Sequence, residues 1–107
     1  MDEQSLYMML RGFKDKPFSF VINYQGTDVV VEFWVENMTQ ANTQFTVNGT
    51  MFMKNGAKLL GKIVIDVVTD VSCIRIRGDR HQYSFAPIQK SIDYWNSFVT
   101  ELKDSIQ

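Results

Sequence analysis

The chain has 107 residues, of which 45% are apolar, and it carries a formal net charge of −1 at pH 7. This length and composition predict one domain with a single modest core and argue against disorder as the main state. The charge excludes a global positive field that would attract nucleic acid or an anionic membrane surface. Apolar runs are short, and the N-terminal sequence MDEQSLYMML is acidic where a signal peptide is positively charged, so we expect a cytoplasmic or nuclear protein without membrane contact.

Residues that commonly carry chemistry are sparse. The only cysteine, Cys73, and the only histidine, His81, cannot form an internal disulfide or a structural zinc site, so we expect neither a metal nor a cofactor. Cys73 lies in an apolar run and is interpreted as a core residue, and His81 as a solvent-facing strand residue. The sequence contains no phosphate-binding glycine loop, zinc-protease motif or nucleophile elbow, and its carboxylates are scattered. We therefore do not expect an enzyme.

The N-terminal part of the chain predicts a helix followed by a β-hairpin. Apolar residues recur at helical spacing in residues 3–13, and Pro17 prevents the helix from continuing. From residue 18 the period changes to two, because residues 18–24 and 29–36 alternate in polarity around a turn at Gly26.

The middle of the chain predicts further antiparallel strands. The polar stretch 38–42 is expected to form a turn, after which the alternation resumes. Two Asn-Gly pairs, Asn48-Gly49 and Asn55-Gly56, both suit a tight hairpin turn with positive φ. The second is favoured, with Gly49 as a bulge. Residues 57–68 are rich in Leu, Ile and Val and predict a strand, with a bend at Asp70.

The run CIRIRGDRHQYSF, residues 73–85, alternates apolar and charged residues into a Gly-Asp pair and out again. This pattern predicts a strand that ends at Arg77, a hairpin turn at Gly78-Asp79, and a second strand from Arg80 to Phe85.

The C-terminal part predicts a long amphipathic helix with Pro87 at its first position. The apolar stripe consists of Ile88, Ile92, Trp95, Val99, Leu102 and Ile106. Two outcomes are open for its later half: Leu102 and Ile106 either belong to the core or dock on a partner as a helix in a groove.

Together these elements predict an α+β fold in a single domain, residues 1–107. An N-terminal helix lies in residues 1–16 and a C-terminal helix in residues 87–107. Residues 17–86 form a strongly bent antiparallel sheet of five to six strands, or an open barrel, because so few strands bury little as a flat sheet.

This order of elements resembles the Sm and Sm-like family. The run from Ile74 to Asp79 is similar to the second family motif, and Ala41-Asn42 with Phe45 hold places of the first. The nearest likeness is to the Sm-like Gemin proteins of the survival-of-motor-neuron complex, which pair with one another. The resemblance implies an Sm-like open barrel.

The resemblance also implies candidate site residues. The motif Asn and Arg hold a base in RNA-binding members, so Asn42 and Arg77, with the neighbouring Asp79, are the candidate RNA-binding residues. The acidic residue of the first motif is missing here, and we expect RNA binding to be weak at most.

The expected function is that of a non-catalytic subunit in ribonucleoprotein assembly or RNA processing. An Sm-like sheet leaves two strand edges, which would add the strand of another Sm-like chain or of a second copy. Arg75, Tyr83 and Phe85 are the candidate partner-binding residues on those edges. The alternative is a small bacterial or phage-encoded binding or inhibitor protein with a helix-flanked antiparallel sheet and no RNA role.

Overall fold

The computed structural model describes residues 2–106 and begins with helix α1 (Glu3–Arg11). The helix starts after Asp2, whose carboxylate accepts a hydrogen bond from the backbone N–H of Ser5 at 2.7 Å. Its apolar face buries Leu6 and Leu10. The helix therefore forms where the spacing of apolar residues predicts it.

Six strands follow the helix. They are β1 (Phe18–Tyr24), β2 (Thr27–Ala41), β3 (Gln44–Met53), β4 (Lys58–Asp66), β5 (Val71–Ile76) and β6 (Phe85–Pro87). All pairings are antiparallel, and the strand order is β5-β4-β3-β2-β1-β6. The β1–β2 turn consists of Gln25 and Gly26, both with positive φ, which is the two-residue hairpin geometry expected at Gly26.

The sheet curves into a half-barrel, and the segment before β6 bridges to the β5 edge at one point. There Ile74 of β5 exchanges two backbone hydrogen bonds with Tyr83, at 2.9 and 2.8 Å. The chain then passes to β6, which pairs with β1. The predicted α+β fold with a bent antiparallel sheet between two helices is confirmed.

Strand β2 is longer than its sequence suggests. The expected turn at 38–42 is wrong, because Met38 is buried in the core and β2 continues to Ala41 by pairing with β3. The turn comes at Asn42 and Thr43, where Asn42 adopts a φ of 56°. Packing of Met38 and pairing with β3 outweigh the local polarity of this stretch.

The bulge lies on β2 and not at Gly49. Val35 pairs with Gly49 and Asn37 with Asn48, so Glu36 is the extra residue. Gly49 is instead a site of close approach, because a Cβ there would lie 2.2 Å from the carbonyl oxygen of Trp34. The favoured hairpin turn at Asn55-Gly56 is confirmed, as is the bend at Asp70, and Gly56 and Asp70 both have positive φ.

The expected strand from Arg80 to Phe85 is wrong. Residues 79–82 form no regular structure, Tyr83 makes a single bridge, and Phe85 begins β6. Both aromatic rings turn inward: Tyr83 is only 9% exposed, and the Phe85 ring packs 4.6 Å from that of Phe20. Contacts with distant strands therefore decide the path of this segment.

The C-terminal helix begins later than predicted. Pro87 ends β6, and the N–H of Ile88 donates to the carbonyl of Ser19 at 2.9 Å, which extends the pairing with β1. A short 3₁₀ helix (Gln89–Ser91) precedes helix α2 (Ile92–Ser105). Pro87 is thus a strand residue at the edge of the sheet, where a missing N–H is tolerated.

Helix α2 closes the core against the inner side of the sheet. Its buried residues are Trp95, Phe98 and Leu102. The Phe98 ring lies 4.9 Å from that of Phe13 and 5.3 Å from that of Phe18, so the helix packs against β1 and the segment after α1. Leu102 is fully buried, and Ile106 packs against the same core with part of its surface exposed, so both residues contribute to the core.

Candidate functional site

The structure does not bring together Asn42 and Arg77, two of the three candidate RNA-binding residues. Asn42 lies in the β2–β3 turn, beside the end of the sheet where Asp66 pairs with Val71. Arg77 follows β5 at the opposite end, where its N–H donates to the carbonyl of Leu60 at 2.8 Å. The strand pairings place these two ends at least five residues apart along β3, or about 17 Å. A single base could not contact both side chains.

Asp79 has a structural role. One carboxylate oxygen accepts a hydrogen bond from the backbone N–H of His81 at 2.9 Å, and the other accepts from the Tyr83 hydroxyl. The bond from Tyr83 and the bond from His81 lower the pKa of Asp79, and the same contact with Asp79 raises the pKa of Tyr83 to about 12. The Gly-Asp corner is therefore a self-contained loop that positions Tyr83 for its bridge to β5.

The candidate partner-binding residues are spread over different parts of the molecule. Tyr83, Phe85 and Leu102 point into the core, and Ile106 packs against it. Arg75 alone lies on the outer side of the sheet, half-buried and paired in register with Lys62. These five residues do not form one surface.

A different surface, here called the outer face, lies on β2, β3 and β4, on the side of the sheet away from the core. Three large apolar side chains emerge there: Trp34, Phe52 and Leu60, which are 37%, 38% and 41% exposed. They are neighbours, because Trp34 pairs with Thr50, and Thr50 pairs with Leu60. Phe52 lies two residues along β3 from Thr50, on the same side. Neither helix covers this strip.

Charged residues flank the apolar strip on both sides. Glu32 and Glu36 lie on β2, and Lys58 and Lys62 lie on β4. Lys58 and Glu32 both pair with Phe52, one from each side. The only ion pair within 4 Å among residues 2–106 joins Lys103 to Asp70, so the four charges of the outer face have no ionic partner within this part of the chain.

The bulge holds Glu36 on the outer face. Because Glu36 is the extra residue, Val35 keeps its place in the core while Glu36 and Asn37 both face outward opposite Asn48. The Thr50 hydroxyl donates to the Glu36 carboxylate, and Asn48 donates to Asn37 at 2.8 Å. Polar contacts thus order the side chains around the apolar strip.

One corner of the outer face is a cavity of about 410 Å³, lined by three cationic residues, Lys62, Arg75 and Arg77, and by two acidic ones, Glu36 and Asp79. Lys62 and Arg75 lie directly opposite each other on β4 and β5, and Arg77 follows on the same side. Like charges in register repel each other, so this placement costs stability. The Nε of Arg75 is buried and has no hydrogen-bond acceptor among the described residues. The cationic residues outnumber the acidic ones here, so this corner is the part of the outer face best suited to accept a carboxylate of a partner.

Within residues 2–106, no group of three or more His, Cys, Asp or Glu side chains is placed to hold a metal ion. No helix in the same range is long and apolar enough to cross a membrane. Cys73, interpreted from the sequence as a core residue, is half-buried, and His81 is exposed in a loop and not in a strand.

Sequence reasoning missed the outer face. Its signal was present, since Trp34 breaks the polar side of an otherwise alternating strand and Leu60 does the same in β4. The register that places them on either side of β3 is not readable from the sequence. Comparison of the chain with models of protein families, with curated proteins and with solved structures finds no match in any of the three.

Proposed function

We propose that this chain is a non-catalytic binding domain that acts by protein–protein contact, and that the outer face is its contact surface. The observation that carries the proposal is the strip of Trp34, Phe52 and Leu60, exposed side by side on one side of the sheet. Contiguous exposed apolar patches rimmed by polar residues mark interaction sites. Tryptophan and arginine are also enriched among the residues that contribute most to binding.

Contact through the sheet face fits the geometry better than strand addition does. β6 is three residues long, and Ile74 in β5 already shares its hydrogen bonds with Tyr83. The sheet therefore offers only short stretches of unpaired backbone to another strand. A role in ribonucleoprotein assembly or RNA processing, with another Sm-like chain as partner, rests on the resemblance of the residue motifs alone.

A protein partner is favoured over nucleic acid. Glu32 and Glu36 both lie beside the exposed aromatic rings, where their carboxylates would repel phosphate groups. A protein surface can place cationic side chains opposite these carboxylates, which is the usual charge complementarity of an interface.

The proposal is tested by site-specific photo-crosslinking in cells that produce the protein natively. A benzoylphenylalanine at position 52 should give discrete protein adducts. The same residue at position 7 is the control, because Tyr7 is an exposed aromatic residue on α1, away from the outer face. Adducts of equal yield at both positions, or none at position 52, would show that the outer face is not a contact surface.

A further inference from the structure

The outer face is complementary to itself, and we propose that it binds the same face of a second copy of this chain to form a two-fold symmetric dimer. This inference rests on the proposed function, because it names the partner of the same surface. It is carried by the strand register and by the signs of the charges.

The outer face consists of three rows that cross β2, β3 and β4. The first row is Glu32, Phe52 and Lys58, the second is Trp34, Thr50 and Leu60, and the third is Asn37, Asn48 and Lys62. The bulge residue Glu36 lies between the second and third rows, and its carboxylate accepts a hydrogen bond from the Thr50 hydroxyl. Along β2 the pattern is acidic, apolar, acidic, and along β4 it is basic, apolar, basic. The β2 side of the outer face is therefore acidic and the β4 side is basic, and each side carries one large apolar residue between its two charges.

A two-fold axis that runs along β3 in the plane of contact exchanges the β2 side of one copy with the β4 side of the other. It leaves each row facing the same row. Glu32 then faces Lys58 of the second copy and Trp34 faces Leu60, while the bulge residue Glu36 comes next to Lys62, between the second and third rows. Symmetric interfaces require this kind of self-complementary patch, in which each contact occurs twice.

The charges are available for this pairing. β2 and β4 are two strand spacings apart, or about 9.5 Å, and β3 lies between them. None of these carboxylates and ammonium groups forms an ion pair with another residue in the range 2–106. In the dimer, the Glu36 carboxylate of the second copy would lie beside Lys62, in the corner that Arg75 also lines.

The contact is small, so the dimer should be weak and reversible. Three rows on three strands bury less than a standard interface, and we expect a dissociation constant of about 10–100 µM. Ion pairs at the edge of the contact are screened by salt, so the dimer should weaken as the ionic strength rises.

Sedimentation equilibrium of the full chain, from about 5 to about 500 µM, brackets this affinity. An acidic-face variant carries Lys58→Glu and Lys62→Glu, and a basic-face variant carries Glu32→Lys and Glu36→Lys. Each variant alone should self-associate at least about tenfold more weakly than the wild type, because like charges then face each other. A 1:1 mixture of the two should form a heterodimer about as tightly as the wild type forms a homodimer, because opposite charges face each other again.

A matched charge change on α2, Asp93→Lys with Glu101→Lys, alters exposed residues outside the outer face and should leave dimerisation within about twofold of wild type. If loss of the bond between Thr50 and Glu36 makes the basic-face variant unstable, two separate single variants, Glu32→Lys and Lys58→Glu, repeat the test in the first row, each alone and then mixed. A wild type that is monomeric throughout, or two variants that fail to associate when mixed, would overturn the inference. Adducts with other proteins at position 52 would then leave the proposed function standing, so the two failures are distinguishable.

Discussion

Replacement of Gly49 by alanine is the sharpest test of the sheet geometry that supports the outer face. A Cβ at this position would lie 2.2 Å from the Trp34 carbonyl oxygen and 2.7 Å from the Phe33 ring. Both distances are well below the separation of about 3.5 Å at which carbon atoms make favourable contact. The carbonyl belongs to β2 next to the bulge, so it cannot move without disturbing the β2–β3 pairing.

We expect Gly49→Ala to lower the free energy of unfolding by about 2–3 kcal/mol, at the upper end of the cost of overpacking. For a domain of this size, that corresponds to a fall in Tm of about 8–12 °C. Thermal and urea unfolding followed by circular dichroism measure both quantities. The position of Trp34 would shift as well, so self-association should weaken in the same variant.

Two other glycines serve as controls. A Cβ at Gly61 would meet the terminal methyl of Met51 at 3.0 Å, and that flexible end can move, so Gly61→Ala should cost less than about 1 kcal/mol. Gly12 has a helical φ of −68° and its nearest contact is at 3.7 Å, so Gly12→Ala should be neutral or slightly stabilising. If Gly49→Ala melted within about 2 °C of the wild type, or no lower than Gly61→Ala, the close approach of β2 and β3 described above would be refuted.

Three further predictions concern α2 and the loop before β6. Leu102→Ala should cost about 2–5 kcal/mol in urea unfolding, because Leu102 is fully buried, whereas Thr100→Ala on the exposed side of the same helix should change stability by less than about 0.5 kcal/mol. Hydrogen bonds lower the pKa of Asp79 in the folded chain. Its contribution to the free energy of unfolding is therefore present above its unfolded pKa and is lost as the pH falls through the folded pKa. Asp79→Asn should therefore flatten the acid limb of a stability–pH curve, and an unchanged limb would contradict this. The pKa of Tyr83 is raised to about 12, so its contribution is complete below the ordinary value of 10.0 and is lost as the pH rises toward 12. Tyr83→Phe should remove this loss of stability at alkaline pH, which is measured as the change in Tm between pH 10.0 and about pH 12.

Local pattern was enough to predict the elements whose structure depends on near neighbours. The alternation from Phe18 to Tyr24 predicts β1 with its observed bounds, and the Asn55-Gly56 pair predicts its turn. Both follow from backbone preferences and period, which the sequence carries directly.

The errors arose where distant contacts decide the structure. The polar stretch before Asn42 extends β2 because β3 pairs with it, and Phe85 joins β1, which lies some sixty residues earlier in the chain. Phe98 was left out of the predicted stripe of α2, although its ring packs between Phe13 and Phe18. Such choices depend on which aromatic residues meet in the core, and periodicity along one segment does not contain that information.

The number of strands between Asn42 and Arg77 places these two candidate RNA-binding residues at opposite ends of the sheet. Consecutive antiparallel strands run in opposite directions, so the β2–β3 turn that holds Asn42 and the turn after β5 that holds Arg77 lie at opposite ends of the sheet. One strand fewer between them would have placed both at the same end. The sequence motif alone could not reveal this, because the number of strands in residues 43–76 depends on where the chain turns.

The same rule of alternating direction makes the outer face self-complementary. β2 and β4 are both antiparallel to β3, so they run in the same direction. The acidic, apolar, acidic series of β2 and the basic, apolar, basic series of β4 therefore pass through the three rows in the same order. If the two series lay on adjacent strands, opposite charges would be direct neighbours and would pair within one chain. Because β3 lies between them, neither glutamate is the direct strand neighbour of Lys58 or Lys62, and neither forms an ion pair within 4 Å among residues 2–106, so both can pair with the lysines of a second copy.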